Sequence, residues 1–243
     1  MSRPAALVVG AGDGLGGAIA KAFAREGLTA CVTRRPRHED KLAGLVSEIE
    51  AEGGSAIAFG VDARDEEDTI ALFERIEREV GPLEVVVFNI GANVRFGIRD
   101  TTAQVYRKVW EMAAFAGFLA GREAARRMVP RGRGSILFTG ATASLRGGAG
   151  FSAFAGAKHA LRALAQSMAR ELGPEGIHVA HVVIDGAVDG DFIRGLYPDW
   201  EERLAEDRLL VPASIAEEYV RLWKQPRNAW TNELDLRPWK EQF

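Results

Sequence analysis

The sequence predicts an α/β fold: one domain over residues 1–243, built as a doubly wound parallel sheet of seven strands with helices on both faces. Three observations carry this. Strand-like and helix-like segments alternate with short connections along the chain. The inner strand segments, such as Val85-Val86-Val87-Phe88, are apolar without alternation, as parallel strands covered on both faces are. Gly10, Gly12, Gly14 and Gly16 place four glycines within seven positions, directly after an apolar run and directly before a helical pattern.

The elements follow in order. Ala5, Ala6, Leu7, Val8 and Val9 give the first strand, and the pattern from Leu15 onward gives a helix over 15–26. Further strands are expected at 29–33, 56–60, 83–89, 135–139 and 179–184, with a short last one at 233–236. Further helices are expected at 39–52, 66–80, 103–128 and 152–172. Residues 190–212 vary in texture, mixing Tyr197, Pro198 and Trp200 with charges of both signs. Right-handed crossovers between successive parallel strands produce the double winding. Ligands of such sheets lie at the carboxyl ends of the strands, so those ends hold the chemistry.

Composition narrows the function. A formal net charge of −3, with both signs mixed, argues against nucleic acid as a partner. The apolar run from Met112 to Gly121 stops at Arg122, short of the ~18 residues of a membrane span. The first strand begins near the N-terminus and leaves no room for a signal peptide. One cysteine, Cys31, fits a reducing compartment and sits in an apolar strand, where packing is its expected role. Four histidines and one cysteine give no metal-spaced cluster. A cytoplasmic protein acting on a small molecule is expected.

A strand feeding a glycine-rich turn into a helix aims free backbone N–H groups at the positive end of the helix dipole, where a phosphate can sit. A Cβ there blocks the turn or the approach of a pyrophosphate. Gly10, Gly12, Asp13, Gly14, Leu15 and Gly16 are therefore expected to bind a dinucleotide. The second strand ends in Thr33-Arg34-Arg35, without the acidic residue that accepts hydrogen bonds from the adenosine ribose of NAD. Two guanidinium groups there suit a 2′-phosphate, so NADP(H) is expected over NAD(H); the bland alternative is a pair of solvated loop charges. Asp13 opposes this reading with a carboxylate in the same loop. Asp62, followed by Ala63, either accepts a hydrogen bond from the adenine amino group or caps the next helix. Asn89, Ile90 and Gly91 end the fourth strand where the backbone passes the cofactor.

With these motifs in place, the chain resembles the short-chain dehydrogenase/reductase family over nearly its whole length. The segment from Val9 to Gly16 matches the family's T-G-x-x-x-G-x-G loop with Val for Thr. Phe88-Asn89-Ile90-Gly91 stands where the family writes N-N-A-G, and Asp185-Gly186-Ala187-Val188 where it writes P-G-x-[VI]. The resemblance implies a Rossmann-type fold and hydride transfer between a nicotinamide and a carbonyl or alcohol. It implies cofactor roles for Lys158, Gly186 and Val188, a substrate lid over 190–212, and a homodimer or homotetramer.

The resemblance also implies a catalytic tyrosine, serine, asparagine and lysine, and here the chain departs from it. The Y-x-x-x-K motif reads Phe154-Ala155-Gly156-Ala157-Lys158, and a phenyl ring has no proton to give. Ala141, thirteen residues earlier, stands at the serine position, and Ala114 at the asparagine position. Lys158 alone survives and keeps its ribose-holding role. Asp185 is a candidate replacement: protonated it is an acid, ionised it favours the oxidised nicotinamide, and the bland alternative is a cap on local backbone N–H groups. Thr142 and Ser144 read as turn residues, His159 and His181 as packing, and Tyr197 as a lid residue. The expectation is an NADP(H)-dependent oxidoreductase working without the usual Tyr and Ser, by conjugate reduction of an activated double bond in one version. The alternative is a non-catalytic NADP(H)-binding sensor or partner subunit.

Overall fold

The structure is a computed structural model and describes residues 3–241. The chain runs β1 (Ala5–Val9), α1 (Leu15–Arg25), β2 (Thr29–Arg34), α2 (Asp40–Ala51), β3 (Ser55–Gly60), α3 (Glu66–Glu79), β4 (Leu83–Phe88), α4 (Ala103–Trp110) and α5 (Ala116–Met128). It continues through β5 (Gly134–Thr139), α6 (Ser152–Leu172), β6 (Ile177–Ile184), α7 (Asp191–Leu196), α8 (Trp200–Ala205), α9 (Pro212–Trp223) and β7 (Glu233–Leu236). The strands form one parallel sheet in the order β3-β2-β1-β4-β5-β6-β7. The order reverses between β1 and β4, so their crossovers leave on opposite faces and a crevice opens at their carboxyl ends.

Each face buries one apolar layer. On one, Ile19, Phe23, Leu42, Ile49, Ile215 and Tyr219 of α1, α2 and α9 cover Val8, Val32 and Val87. On the other, Phe73, Ala120, Ala124 and Leu161 of α3, α5 and α6 cover Leu7, Phe88 and Phe138. α5 and α6 cross closely because Gly117 has no side chain: a Cβ there would lie 2.5 Å from Leu161 Cδ1. Cys31 is fully buried, and burial pushes its thiol up to about 12, so it packs rather than reacts.

The expected strands are all present, with ends shifted by two residues at most. Three expectations need correction. The helix expected over 103–128 is interrupted by a π turn, Glu111–Phe115, in which the Ala116 N–H reaches back to the Glu111 carbonyl. The extra residue brings Trp110 and Phe115 into a stack with ring centroids 5.9 Å apart. The segment 190–212, for which the sequence predicts no element, holds two short helices, α7 and α8. A further helix, α9, follows it, with Pro212 in its first turn and Ile215, Ala216, Tyr219 and Leu222 facing the core. No helix among the described residues is long and apolar enough to cross a membrane.

Candidate active site

The ends of β1, β2 and β4 are stapled side by side. Val9 stands in register with Thr33 on one side and Phe88 on the other. The Ala11 N–H donates to the Thr33 carbonyl (3.0 Å), and the Asn89 N–H to the Val9 carbonyl (2.8 Å). The Asn89 side chain then donates from Nδ2 to the Gly10 carbonyl (3.2 Å), tying the fourth strand to the glycine loop. Gly10 has φ +92°, where other residues are strained. A Cβ on Gly16 would sit 2.5 Å from the Gly10 carbonyl oxygen and 2.9 Å from Asn89 Nδ2. Gly17, which sequence reasoning passed over, is as tight, since its Cβ would collide with the Gly12 carbonyl. Gly14 caps α1, Leu15 begins it, and Asp13 is exposed.

A cleft of about 310 Å³ opens over these strand ends, lined by Gly10, Gly12, Thr33, Arg34, Arg35, Asp62, Ala63, Asn89, Ile90 and Gly91. Ten residues assigned to the cofactor from sequence thus meet in one cleft. Arg34 lies across the glycine loop, its Nη2 3.1 Å from where a Gly12 Cβ would be. Its Nη1 is buried and has no hydrogen-bond partner among the described residues. Burial, then Arg37 and Arg64, hold the Arg35 guanidinium below its ordinary value, so the corner is electropositive. Asp62 does not cap α3; Asp65 does, accepting from the Asp68 N–H at 3.0 Å. Asp62 instead clamps Arg64, accepting from Nε (2.9 Å) and Nη2 (2.5 Å), and this bonding holds its carboxyl below the usual range. Arg64 lines the cleft and sequence reasoning missed it, although it stands two residues from Asp62.

Lys158 lies beyond the cleft, on α6, and is only 2% exposed. Its Nζ donates to the carbonyls of Ile90 (3.0 Å) and Thr139 (2.8 Å). Neither acceptor is a full charge, and burial pushes the ammonium down to about 7. Phe154, one turn earlier, has its ring centroid 5.9 Å from Nζ. Phe154 and Ala114, the latter inside the π turn, share one apolar cluster with Val109, Ala143 and Ala153, and Ala141 packs against it. Three positions 27 and 13 residues apart in sequence therefore converge on one hydrocarbon wall.

Asp185 follows β6 and is 1% exposed. Among the described residues it caps no backbone N–H group, contrary to the bland reading. Its Oδ1 accepts from Thr142 Oγ1 (2.6 Å) and from Arg146 Nη2 (3.3 Å), while Arg237 Nη2 stands 3.8 Å from Oδ2. Thr142 is a turn residue, in the short 3₁₀ turn Thr142–Ser144, but its hydroxyl has this further partner. Ser144 is buried and accepts from the Ala141 N–H (3.1 Å). Gly186 packs on Pro238, where a Cβ would be 2.8 Å from Cδ, and Val188 bridges to Leu210. That bridge, with the Leu210 N–H donating to the Ala187 carbonyl (2.8 Å), ties together the two ends of the excursion carrying α7 and α8. The Tyr197 ring lies under Arg203, 4.4 Å from Cζ. His181 is buried, with Nδ1 3.1 Å from Glu233 Oε2, and burial pushes it down to about 4. His159 is exposed, not packed as expected.

Among the described residues no three His, Cys, Asp or Glu side chains are grouped to hold a metal. The chain superposes on the crystal structure of a short-chain dehydrogenase from Rhodopseudomonas palustris with TM-score 0.83 and 50% identity, covering 98% of this chain and 100% of that one. It is 31% identical over 175 residues to a short-chain dehydrogenase/reductase of Armillaria gallica, covering 72% of this chain and 67% of the relative. It is 32% identical over 176 residues to zerumbone synthase of Zingiber zerumbet, covering 72% and 65%. The matches thus span about two thirds of these two relatives' lengths. The family model described as short chain dehydrogenase matches residues 4–199. With that match over the glycine loop, the first six strands and the Lys158 helix, the chain belongs to the short-chain dehydrogenase family.

Proposed function

We propose that this chain is an NADP(H)-dependent oxidoreductase, transferring hydride to or from a small carbonyl, alcohol or enone without the usual tyrosine, serine and asparagine. The observation that carries the reading is Arg34, whose buried Nη1 has no hydrogen-bond partner among the described residues and whose guanidinium lies on Gly12. An unsatisfied buried donor costs about 1–3 kcal/mol. A 2′-phosphate beside it supplies acceptors and offsets the electropositive corner made with Arg35 and Arg64. The residues present therefore fit the dinucleotide.

In this reading Gly10, Gly12, Asp13, Gly14, Leu15 and Gly16 cradle the pyrophosphate, and Thr33, Arg34 and Arg35 hold the adenosine ribose and its phosphate. Asp62 and Ala63 border the adenine, and Asn89, Ile90 and Gly91 form the floor. Gly186 and Val188 border the nicotinamide, which supplies or accepts the hydride when bound. Lys158 spends two N–H groups on carbonyls, so its charged form has one left for a ribose hydroxyl. Phe154, Ala141 and Ala114 exclude water from the reacting centre and move no proton. The Thr142 hydroxyl donates to Asp185 Oδ1 and so holds the Asp185 carboxyl group in place beside the site. Losing a positioned general acid costs about 10²–10⁴-fold in rate, while alignment of the reactants retains about 7–11 kcal/mol. Catalysis on a substrate that needs no strong acid therefore survives.

The whole chain serves as one catalytic domain in the cytoplasm, with residues 190–212 as a lid on the stem at Val188 and Leu210. A homodimer or homotetramer forms through the two long helical segments and the last strand, the exposed Trp110 and Phe118, each stacked on Phe115, adding apolar surface on the first of these helices.

The test is the double variant Ala141→Ser with Phe154→Tyr, assayed by NADPH oxidation across aliphatic, aromatic and steroid ketones. A gain of about 10²-fold or more in carbonyl reduction is expected. No gain with NADPH still bound would contradict the assignment of these positions. The apolar cluster around Phe154 favours a second reading, a non-catalytic NADP(H)-binding sensor or partner subunit. Tight NADPH binding with no hydride transfer by wild-type protein to any ketone or enone would select it.

A further inference from the structure

The polar group that the proposed reaction does not consume is Arg146. It follows the 3₁₀ turn after β5, at the carboxyl edge of the sheet, and its side chain is 43% exposed. It is held at one end only: Nη2 stands 3.3 Å from Asp185 Oδ1, and it makes no other hydrogen bond among the described residues. That contact is long for a charge-assisted bond, which is normally about 2.7–2.9 Å. The Asp185 carboxylate is better supplied from elsewhere, by the Thr142 hydroxyl at 2.6 Å on Oδ1, with Arg237 facing Oδ2. The buried acid therefore works as an anchor. It fixes the Arg146 guanidinium through Nη2 and leaves the side chain 43% exposed.

The surroundings add charge of the same sign. The Phe96 N–H donates to the Gly150 carbonyl (2.9 Å), strapping the loop after β4 onto the loop that carries Arg146. On that strap Arg95 is exposed and lies over the Phe151 ring, 5.8 Å from its centroid, with no carboxylate partner among the described residues. Phe151 in turn packs on the cluster of Phe154, Ala143 and Ala153, with Ala141 at its edge. An apolar wall thus runs through Phe151 up to Arg95, on the pair of strapped loops that also carries Arg146.

We infer that Arg146, anchored by Asp185, is a carboxylate-binding residue of the substrate site, and that the substrate is an organic acid with an apolar body. The inference rests on the reading of the Phe154 cluster as the substrate side of the site. The guanidinium fork matches a carboxylate in two parallel N–H···O bonds, and the apolar body covers Phe154 and Ala141. Arg95 adds attraction that falls with salt.

The test is calorimetric titration of the protein saturated with NADPH, using four carboxylates (acetate, octanoate, benzoate and cinnamate) and their neutral amides. Expected is a preference of about tenfold or more for at least one acid over its amide. Arg146→Gln should remove that preference while amide binding changes by about twofold at most, and Arg146→Lys should restore part of it. Failure of NADPH to bind would sink the proposed function. Bound NADPH with no acid preferred over its amide, or with the preference intact in Arg146→Gln, would overturn this inference alone. A melt of each variant checks that it is folded.

Discussion

Lys158 makes stability depend on pH. Burial at 2% exposure, with the carbonyls of Ile90 and Thr139 as its only hydrogen-bond acceptors among the described residues, pushes it from 10.5 down to about 7. At 1.36 kcal/mol per tenfold change, the fold disfavours the charged form by about 5 kcal/mol. The sign follows from proton counting. The unfolded chain keeps this proton up to about pH 10.5, while the folded chain releases it through about pH 7. Between those values the unfolded state binds more protons, so stability rises with pH, at up to about 1.4 kcal/mol per unit. Two other buried groups act oppositely: burial raises Cys31 to about 12 and also raises Tyr219, so both keep protons that the unfolded chain loses. Both are shared with the variant Lys158→Met and cancel in the difference. Urea unfolding of wild type and Lys158→Met between about pH 7 and about pH 10 isolates the lysine. Across that window, stability of the wild type relative to the variant should rise by about 3–4 kcal/mol. The two carbonyls left unpaired in the variant shift the difference by a constant and leave the slope alone. A difference flat with pH would refute the reasoning, because it would mean that Lys158 keeps an ordinary pKa through hydration or an anionic partner.

Other predictions follow from the same geometry. Gly16→Ala puts a Cβ 2.5 Å from the Gly10 carbonyl and 2.8 Å from Ala11 Cα, both backbone. It should cost about 1–3 kcal/mol and weaken NADPH binding by about tenfold or more, by melting and fluorescence titration. Gly14→Ala meets nothing within 4 Å and should leave stability unchanged. Thr142→Val strips the 2.6 Å bond from buried Asp185 and should cost about 1.5–3 kcal/mol, most of it recovered by Thr142→Ser. Equal melting of the Val and Ser variants would show that the hydroxyl contributes nothing.

The fold was legible because its signals are local. β1 matches its expected limits, with an unbroken apolar run between Pro4 and Gly10. The first half of the site was legible for the same reason: Gly10, Thr33, Arg34 and Asn89 are consecutive with strand ends, and parallel pairing brings strand ends together. The reacting half was not. The carboxylate of Asp185 meets side chains 43 and 39 residues away, pairings that no local pattern encodes. The π turn adds one residue inside an Ala-rich helix whose apolar pattern hardly registers it. α9 carried its signals, Pro212 and the spacing of Ile215, Tyr219 and Leu222, but these followed a stretch assigned to a lid.

The reading of Arg34 and the glycine loop is tested most directly by thermal melting of the protein alone and with saturating NADPH, NADP⁺, NADH or NAD⁺. A nucleotide at a hundred times its dissociation constant adds about 2.7 kcal/mol, a rise of about 5–10 °C at this chain length. That rise is expected with NADPH and NADP⁺, smaller or absent with NADH and NAD⁺, and abolished by Arg34→Ala. A rise confined to NADH and NAD⁺ would contradict the phosphate role of Arg34, and no rise with any of the four would contradict cofactor binding altogether.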